Sequence, residues 1–129
     1  MKISVIIPTY NCADYIKDAI NSVLFQKYEG DVEIIVVDDG STDNTKTVLE
    51  EYIKNKQITY IKQKNKGQAD ARNNGFKISK GDFIAFLDSD DTWNQAKLAK
   101  QIEKSHLAFL NKLLLTCFLY LSFNKISLT

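Results

Sequence analysis

Two spacings of apolar residues alternate along this chain. Ile3 to Ile7 is a β-branched run ended by Pro8, which predicts a first strand with the loop Thr9-Tyr10-Asn11 beyond its tip. Ile16, Ala19, Ile20, Val23 and Leu24 then recur at helical spacing while Lys17, Asp18 and Asn21 fall on the opposite face. An amphipathic helix is expected there, closing near Gly30. Val32 to Val37 predicts a second buried strand that runs directly into Asp38-Asp39-Gly40-Ser41. Ser41, Thr42 and Asp43 are good N-caps for the next helix, whose apolar face is Val48, Leu49, Tyr52 and Ile53. A third strand, Ile58 to Ile61, passes through Lys64-Asn65-Lys66-Gly67 into a helix carrying Ala69, Arg72, Asn73 and Phe76, with a stop near Lys80-Gly81. The apolar run from Phe83, bounded by Gly81 and by Asp88-Ser89-Asp90-Asp91, predicts a fourth strand, buried and central in a parallel sheet.

Strands alternating with helices in this way give an α/β fold, one parallel sheet with flanking helices. Every strand tip of such a sheet lies along one edge, and ligands bind in the crevice outside it. Four polar clusters from distant parts of the chain are therefore expected to converge: Thr9 to Asn11, Asp38 to Ser41, Lys64 to Gly67, and Asp88 to Asp91. Asp88 and Asp90, spaced Asp-x-Asp on a tight loop, can share one hard divalent cation whose remaining positions suit phosphate oxygens and water. Residues of these types are also ordinary turn formers and helix caps. A dinucleotide-binding turn needs glycines after the first strand, where this chain has Pro8-Thr9-Tyr10-Asn11, and no Gly-rich loop ending in Lys-Ser or Lys-Thr follows any strand. Without a glycine cradle, the charge of a diphosphate has to be met by a metal ion.

Size and charge narrow the partners. At 129 residues the chain is expected to form one domain, and 44% hydrophobic with 26% charged residues is ordinary for a soluble protein. A formal net charge of +1 predicts no general affinity for nucleic acid. Cys12 and Cys117 are too far apart in sequence for a metal-ligand spacing or a disulfide framework. The apolar start is cut short by Pro8 and does not read as a signal peptide, so a cytoplasmic location is expected, with the inner face of the cell membrane as an alternative.

The segments IIPTYN, VVDDGSTDNT, NKGQADARNNG and FLDSDDTW, in this order, resemble the family-2 glycosyltransferases of the GT-A fold, a Rossmann-like nucleotide-diphospho-sugar-binding domain. The resemblance covers Lys2 to about Glu103. It implies inverting transfer of a sugar from a nucleotide diphosphate donor to a carbohydrate or glycolipid acceptor, with Mg or Mn as cofactor, in the synthesis of polysaccharide or glycolipid. Carried over residue by residue, Pro8, Thr9 and Tyr10 would line the nucleoside pocket. Asp39 would accept a hydrogen bond from the base, which favours a UDP-sugar because uracil offers an N–H. Arg72 matches the arginine of the ARNxG segment, near base and diphosphate. Asp90 would be the principal metal ligand, with Asp88 contacting the ribose or the ion.

Other polar residues carry competing readings. Asp38 divides evenly between ligand contact and a turn-forming carboxylate, and Asp91 between the acidic loop and a cap for a helix near Trp93. Lys66 reads, with Lys62 and Lys64, as part of a solvated lysine-rich face. Trp93 reads as core packing, His106 as an uncommitted surface residue and Cys12 as a small apolar group.

The resemblance fades after the acids. Family members usually open the following helix Trp-x-Pro-x-Lys-Leu, and Gln95 stands at the proline position here. They continue into an acceptor-binding half with a catalytic carboxylate that takes the proton of the attacking hydroxyl. Residues 107–129, LAFLNKLLLTCFLYLSFNKISLT, hold no carboxylate side chain, and no residue is assigned as that base. The chain thus divides into a donor-binding domain over residues 1–103 and an atypical apolar tail over 104–129. The run Leu113 to Phe123 falls short of the roughly 20 residues that cross a bilayer as a helix. A buried segment, a peripheral membrane contact and an out-of-frame end on a truncated gene product are the readings open to the tail, and the abrupt change of composition favours the last. The leading expectation is the donor-binding half of a glycosyltransferase. Against it stands a fragment that binds nucleotide diphosphate and metal without catalysing transfer.

Overall fold

The computed structural model describes residues 1–110. Within them the chain runs β1 (Lys2–Thr9), α1 (Ile16–Leu24), β2 (Asp31–Asp38), α2 (Thr45–Lys54), β3 (Thr59–Lys62), α3 (Gln68–Ile78) and β4 (Phe83–Phe86). A last helix, α4, occupies residues 97–110. The four strands form one parallel sheet in the order β3-β2-β1-β4. The apolar tail expected over 104–129 lies mostly outside the described residues. Its first part continues α4, where Leu107, Phe109 and Leu110 are exposed.

Alternation along the strands sorts the core into two layers. Ile3, Val5 and Ile7 of β1 face the same side as Ile34 and Val36 of β2, where they pack with Ile16, Ala19, Ile20 and Val23 of α1, Leu49 of α2 and Leu98 of α4. Ile6, Ile35 and Val37 point to the other face, which Ala71 of α3 covers. The sheet is therefore buried on both sides at β1 and β2, and this is why those two strands read as near-continuous apolar runs.

Several boundaries differ from those read off the sequence. Pro8 lies inside β1, paired with Val37. Its neighbours explain the tolerance: the Ile6 carbonyl faces β4, accepting from Leu87 N, and the Thr9 carbonyl faces β2, accepting from Asp39 N. The missing N–H of Pro8 thus points to the β4 side, beyond the last ladder pair Ile6↔Phe86, where no donor is required. Helix α1 ends at Leu24 rather than near Gly30, because Phe25 N and Gln26 N close the last turn on Asn21 and Val23 and the chain then turns toward residues 94–95. Strand β4 was expected in the middle of the sheet and lies at its edge among the described residues. Phe83 and Phe86 are 39% and 47% exposed. An apolar run specifies burial of a strand's faces, and nothing in four residues says whether both edges are paired.

Three of the predicted cap residues, Ser41, Thr42 and Asp91, do not cap. Helix α2 begins at Thr45, and it is Asp43 that accepts from Thr45 N (2.9 Å) and from the Thr45 hydroxyl (2.5 Å). Ser41 and Thr42 are used elsewhere. Asp91 does not start a helix near Trp93; its N–H closes a turn on the Asp88 carbonyl, and Asn94 Oδ1 accepts from Ala96 N at the entrance to α4. That entrance is stapled to α1, since Ser22 Oγ accepts from Trp93 N and Gln26 Oε1 from Leu98 N, both at 3.0 Å. Trp93 packs on the core as expected, with the Lys97 ammonium 3.7 Å from its ring centroid, and His106 is exposed.

Gly75, in the middle of α3, fixes how closely that helix sits on the sheet. A Cβ there would lie 2.5 Å from Ile6 Cγ2 and 3.2 Å from Val37 Cγ2. We expect Gly75→Val to lower stability by about 1–3 kcal/mol through overpacking, seen as a lower urea midpoint with an unchanged slope. A midpoint equal to that of the parent would show that α3 lifts off the sheet at no cost.

Candidate functional site

The parallel sheet brings the tips of β1, β2 and β3 to one edge, where Thr9 pairs with Asp38 and Asp38 with Lys62. Past these residues the ladder ends, so the loops must supply partners for each other's backbone. Asn11 does this for the loops after β1 and β2. Held in the left-handed region at φ 49°, it accepts on Oδ1 from Thr42 N (2.8 Å) and Asp43 N (3.3 Å), and it donates its own N–H to Ser41 Oγ (2.9 Å). Cys12 N donates to Thr45 Oγ1 and Ala13 N to Asp43 Oδ2. This clasp consumes most of the polar side chains of the Asp38 to Thr45 stretch.

The two acids at the end of β2 have separate tasks. Asp38 is fully buried and accepts from Ser41 N (2.7 Å) and from the Tyr60 hydroxyl (2.6 Å), so the turn-forming reading holds. Burial, and after it the Asp38 carboxylate, push the Tyr60 phenol well above its usual range. Asp39, 5% exposed, accepts from Gln63 Nε2 (2.7 Å), Lys66 N (2.9 Å) and Gly67 N (2.8 Å), which anchors the loop between β3 and α3. Burial alone would raise its carboxyl. The donated hydrogen bonds outweigh that and hold it below the usual carboxylate range. Lys62 is not merely solvated: its ammonium donates to the Ser41 carbonyl at 3.0 Å.

On the β4 side, Asp88 Oδ1 accepts from Arg72 Nη2 (2.7 Å) and Gln68 Nε2 (3.0 Å), and the Arg72 guanidinium lies 5.7 Å over the Phe86 ring. Arg72 Nε is buried without a partner. Arg72 is therefore oriented by the acidic loop, and it does not reach the cleft wall. Between these groups lies a cleft of about 200 Å³ lined by Pro8, Thr9, Tyr10, Asp39, Gln68 and Ser89. Thr9, only 3% exposed, is among the lining residues, and its buried hydroxyl has no protein partner.

Of the expected site residues, Pro8, Thr9, Tyr10 and Asp39 thus share one cavity. Arg72 and Asp88 form an ion pair and are not among the lining residues, and neither is Asp90, which is exposed. Gln63, Gln68 and Ser89 were not singled out from the sequence. Gln68 had a readable signal, since it opens α3 four residues before Arg72 and so lies on the same face. Among the described residues no group of three or more His, Cys, Asp or Glu side chains is arranged to hold a metal ion. The donor set Asp88 plus Asp90 nevertheless suits Mg or Mn, which take one or two carboxylates and complete their shell with phosphate oxygens and water.

Comparison with known proteins accords with this geometry. The family described as "Glycosyl transferase family 2" matches residues 4–106. The Escherichia coli protein UDP-Glc:alpha-D-GlcNAc-diphosphoundecaprenol beta-1,3-glucosyltransferase WfaP is 48% identical over 101 residues, which are 78% of this chain and 39% of that one. S. aureus TarS 1-349, solved in complex with UDP-GlcNAc, aligns with a TM-score of 0.69 and 36% identity over 87% of this chain and 32% of its own. The mannosyltransferase PcManGT from Pyrobaculum calidifontis, in complex with GDP-Man and Mn2+, aligns with a TM-score of 0.70 and 29% identity, covering 75% of this chain and 30% of that one. The chain spans well under half the length of each of these relatives.

The Asp39 anchor makes stability depend on pH. Its carboxyl titrates near 4 in the unfolded chain and lower in the folded one. The contribution is therefore complete above the unfolded value and is lost as pH falls through the folded one. Denaturant titrations between neutral pH and pH 3 should show the parent losing stability toward acid. Asp39→Asn should be less stable at neutral pH and should close part of that gap as the pH falls; a constant gap would mean the carboxylate is not stabilised by its donors.

Proposed function

Because the chain belongs to glycosyl transferase family 2, we propose that its sheet edge binds the nucleotide diphosphate of a sugar donor, a UDP-sugar, for transfer with inversion to a carbohydrate or glycolipid acceptor. The observation that carries this is the one cleft lined by Thr9, whose buried hydroxyl is unpartnered, by Asp39 and by Ser89 of the acidic loop. Pro8, Thr9 and Tyr10 form the nucleoside wall, and Asp39 accepts from the base N–H. Asp90 is the principal metal ligand. Asp88, one oxygen of which is committed to Arg72 and Gln68, turns its other oxygen to the ion or the ribose. Arg72 fixes the Asp88 carboxylate and adds positive charge beside the diphosphate.

When bound, Mg or Mn supplies charge to the diphosphate and so eases its departure from the sugar. What this chain's residues do is bind the base, orient the acids and keep Asp39 ionised. The base that deprotonates the acceptor is not assigned to any residue here. Residues 1–103 make up the donor-binding unit in this reading. A role in polysaccharide or glycolipid synthesis is the one to which the E. coli relative's name points. Such a role would place the protein at the cytoplasmic face of the membrane as a peripheral partner; among the described residues no helix is long and apolar enough to cross it. Because the chain covers only 39% of that relative, a second reading stands beside the first: a unit that holds nucleotide diphosphate and metal but transfers nothing. Incubating the purified chain with UDP-sugars and a panel of acceptors separates the two.

UDP should raise the melting temperature only when Mg or Mn is present, by the linkage that gives about 2.7 kcal/mol at a hundredfold excess over Kd. Asp90→Ala should abolish the shift. An equal shift in parent and variant would exclude the acidic loop as the metal site.

A further inference from the structure

Behind Asp39 stands a row of polar groups that never reaches the cleft. Lys77 Nζ donates to Asn74 Oδ1 (3.5 Å), Asn74 Nδ2 donates to Gln63 Oε1 (2.6 Å), and Gln63 Nε2 donates to Asp39 Oδ1 (2.7 Å). An amide can present either its oxygen or its NH2, so the two middle members have no inherent direction. The ends impose one, because an ammonium only donates and an ionised carboxylate only accepts. Each bond then polarises the next. Asn74 and Gln63 are both partly buried, which limits the water that could replace a lost bond if they turned round.

At the far end, Asp39 Oδ1 takes both Gln63 Nε2 and Lys66 N, while Oδ2 takes only Gly67 N. Oδ2 therefore keeps acceptor capacity that the protein does not use. Since Asp39 lines the cleft, the ligand meets a carboxylate held by two backbone N–H groups and, through Gln63 and Asn74, by α3.

We infer that Gln63 and Asn74 are specificity-determining positioning residues, which hold Asp39 as a fixed acceptor so that the cleft takes a base with a ring N–H and rejects one that presents a ring-nitrogen lone pair. Uracil and cytosine differ in this way at the same ring atom and match in size. The inference rests on reading the cleft as a nucleotide site. Neither residue needs to touch the nucleotide. A purely mechanical tie between the loop after β3 and α3 would treat both bases alike.

Calorimetric titration of the full chain with UDP and with CDP, Mn2+ present in both, tests it. Asn74→Asp preserves volume but offers an acceptor where a donor stood, so that Gln63 turns its NH2 to the new carboxylate and its oxygen to Asp39. Gln63→Glu keeps the bond from Asn74 and sets a second carboxylate against Asp39. Each should lower the preference for UDP over CDP by about tenfold, the cost of one buried bond left unmade; Asn74→Ala, without added charge, should lower it less and serves if the charged variants do not fold. Equal loss of both nucleotides in every folded variant overturns the proposal. Backbone amide exchange at Lys66 and Gly67 reads the same displacement without ligand, because a turned Asp39 frees both N–H groups. Faster exchange at these two positions than in the parent supports the relay, and unchanged exchange overturns it. If the parent binds neither nucleotide, the nucleotide reading has failed while the exchange result still decides whether the relay orients Asp39.

Discussion

The constraint on which this protein depends is the register of β1 against β2, eight parallel pairs from Lys2↔Asp31 to Thr9↔Asp38. Parallel pairing sends every strand out of the sheet on the same side, and it leaves the backbone of every following loop without a ladder partner at the same level. The chain meets this by placing short polar side chains immediately after the tips. Asp38 closes the turn onto Ser41, Asp39 takes the N–H groups of Lys66 and Gly67, and Asn11 takes those of Thr42 and Asp43. A concentration of acids at the sheet edge is thus first a solution to a backbone problem. The cleft is bounded by what that solution leaves over.

Seen this way, the polar motifs divide into residues spent on the fold and residues left for a ligand. Most of the stretch from Asp38 to Thr45 is spent: Asp38 is fully buried with a donor on each oxygen, while Ser41, Thr42, Asp43 and Thr45 all bond to the loop after β1. Asp39 stands in both groups, since its three donors hold a loop and the residue also lines the cavity. Thr9 is left over entirely, with a buried hydroxyl that no protein group satisfies. Such an atom costs free energy unless something else binds it.

Arg72 and Asp88 illustrate a third category, groups that preorganise each other. The bond between Arg72 Nη2 and Asp88 Oδ1, joined by Gln68, holds one side of the acidic loop before any ligand arrives. The guanidinium also lies 5.7 Å from the Phe86 ring centroid, within cation–π range. Both side chains are more than a third exposed, so the pair contributes little to stability. What it does is hold the Asp88 carboxylate in one position, while Asp90 is exposed.

The residues by themselves determined the α/β alternation, the polarity of the strand tips and the meeting of Thr9, Tyr10 and Asp39, because apolar period and chain direction are local properties that a parallel sheet translates directly into position. Tertiary structure decided the rest. It put β4 at the edge, let Pro8 remain within β1, assigned Asp38 to Tyr60 rather than to a ligand and brought Gln63, Gln68 and Ser89 to the site. Each of these depends on which backbone or side-chain group stands opposite. A partner supplied by a segment 20 or more residues away leaves no periodicity in the chain that receives it.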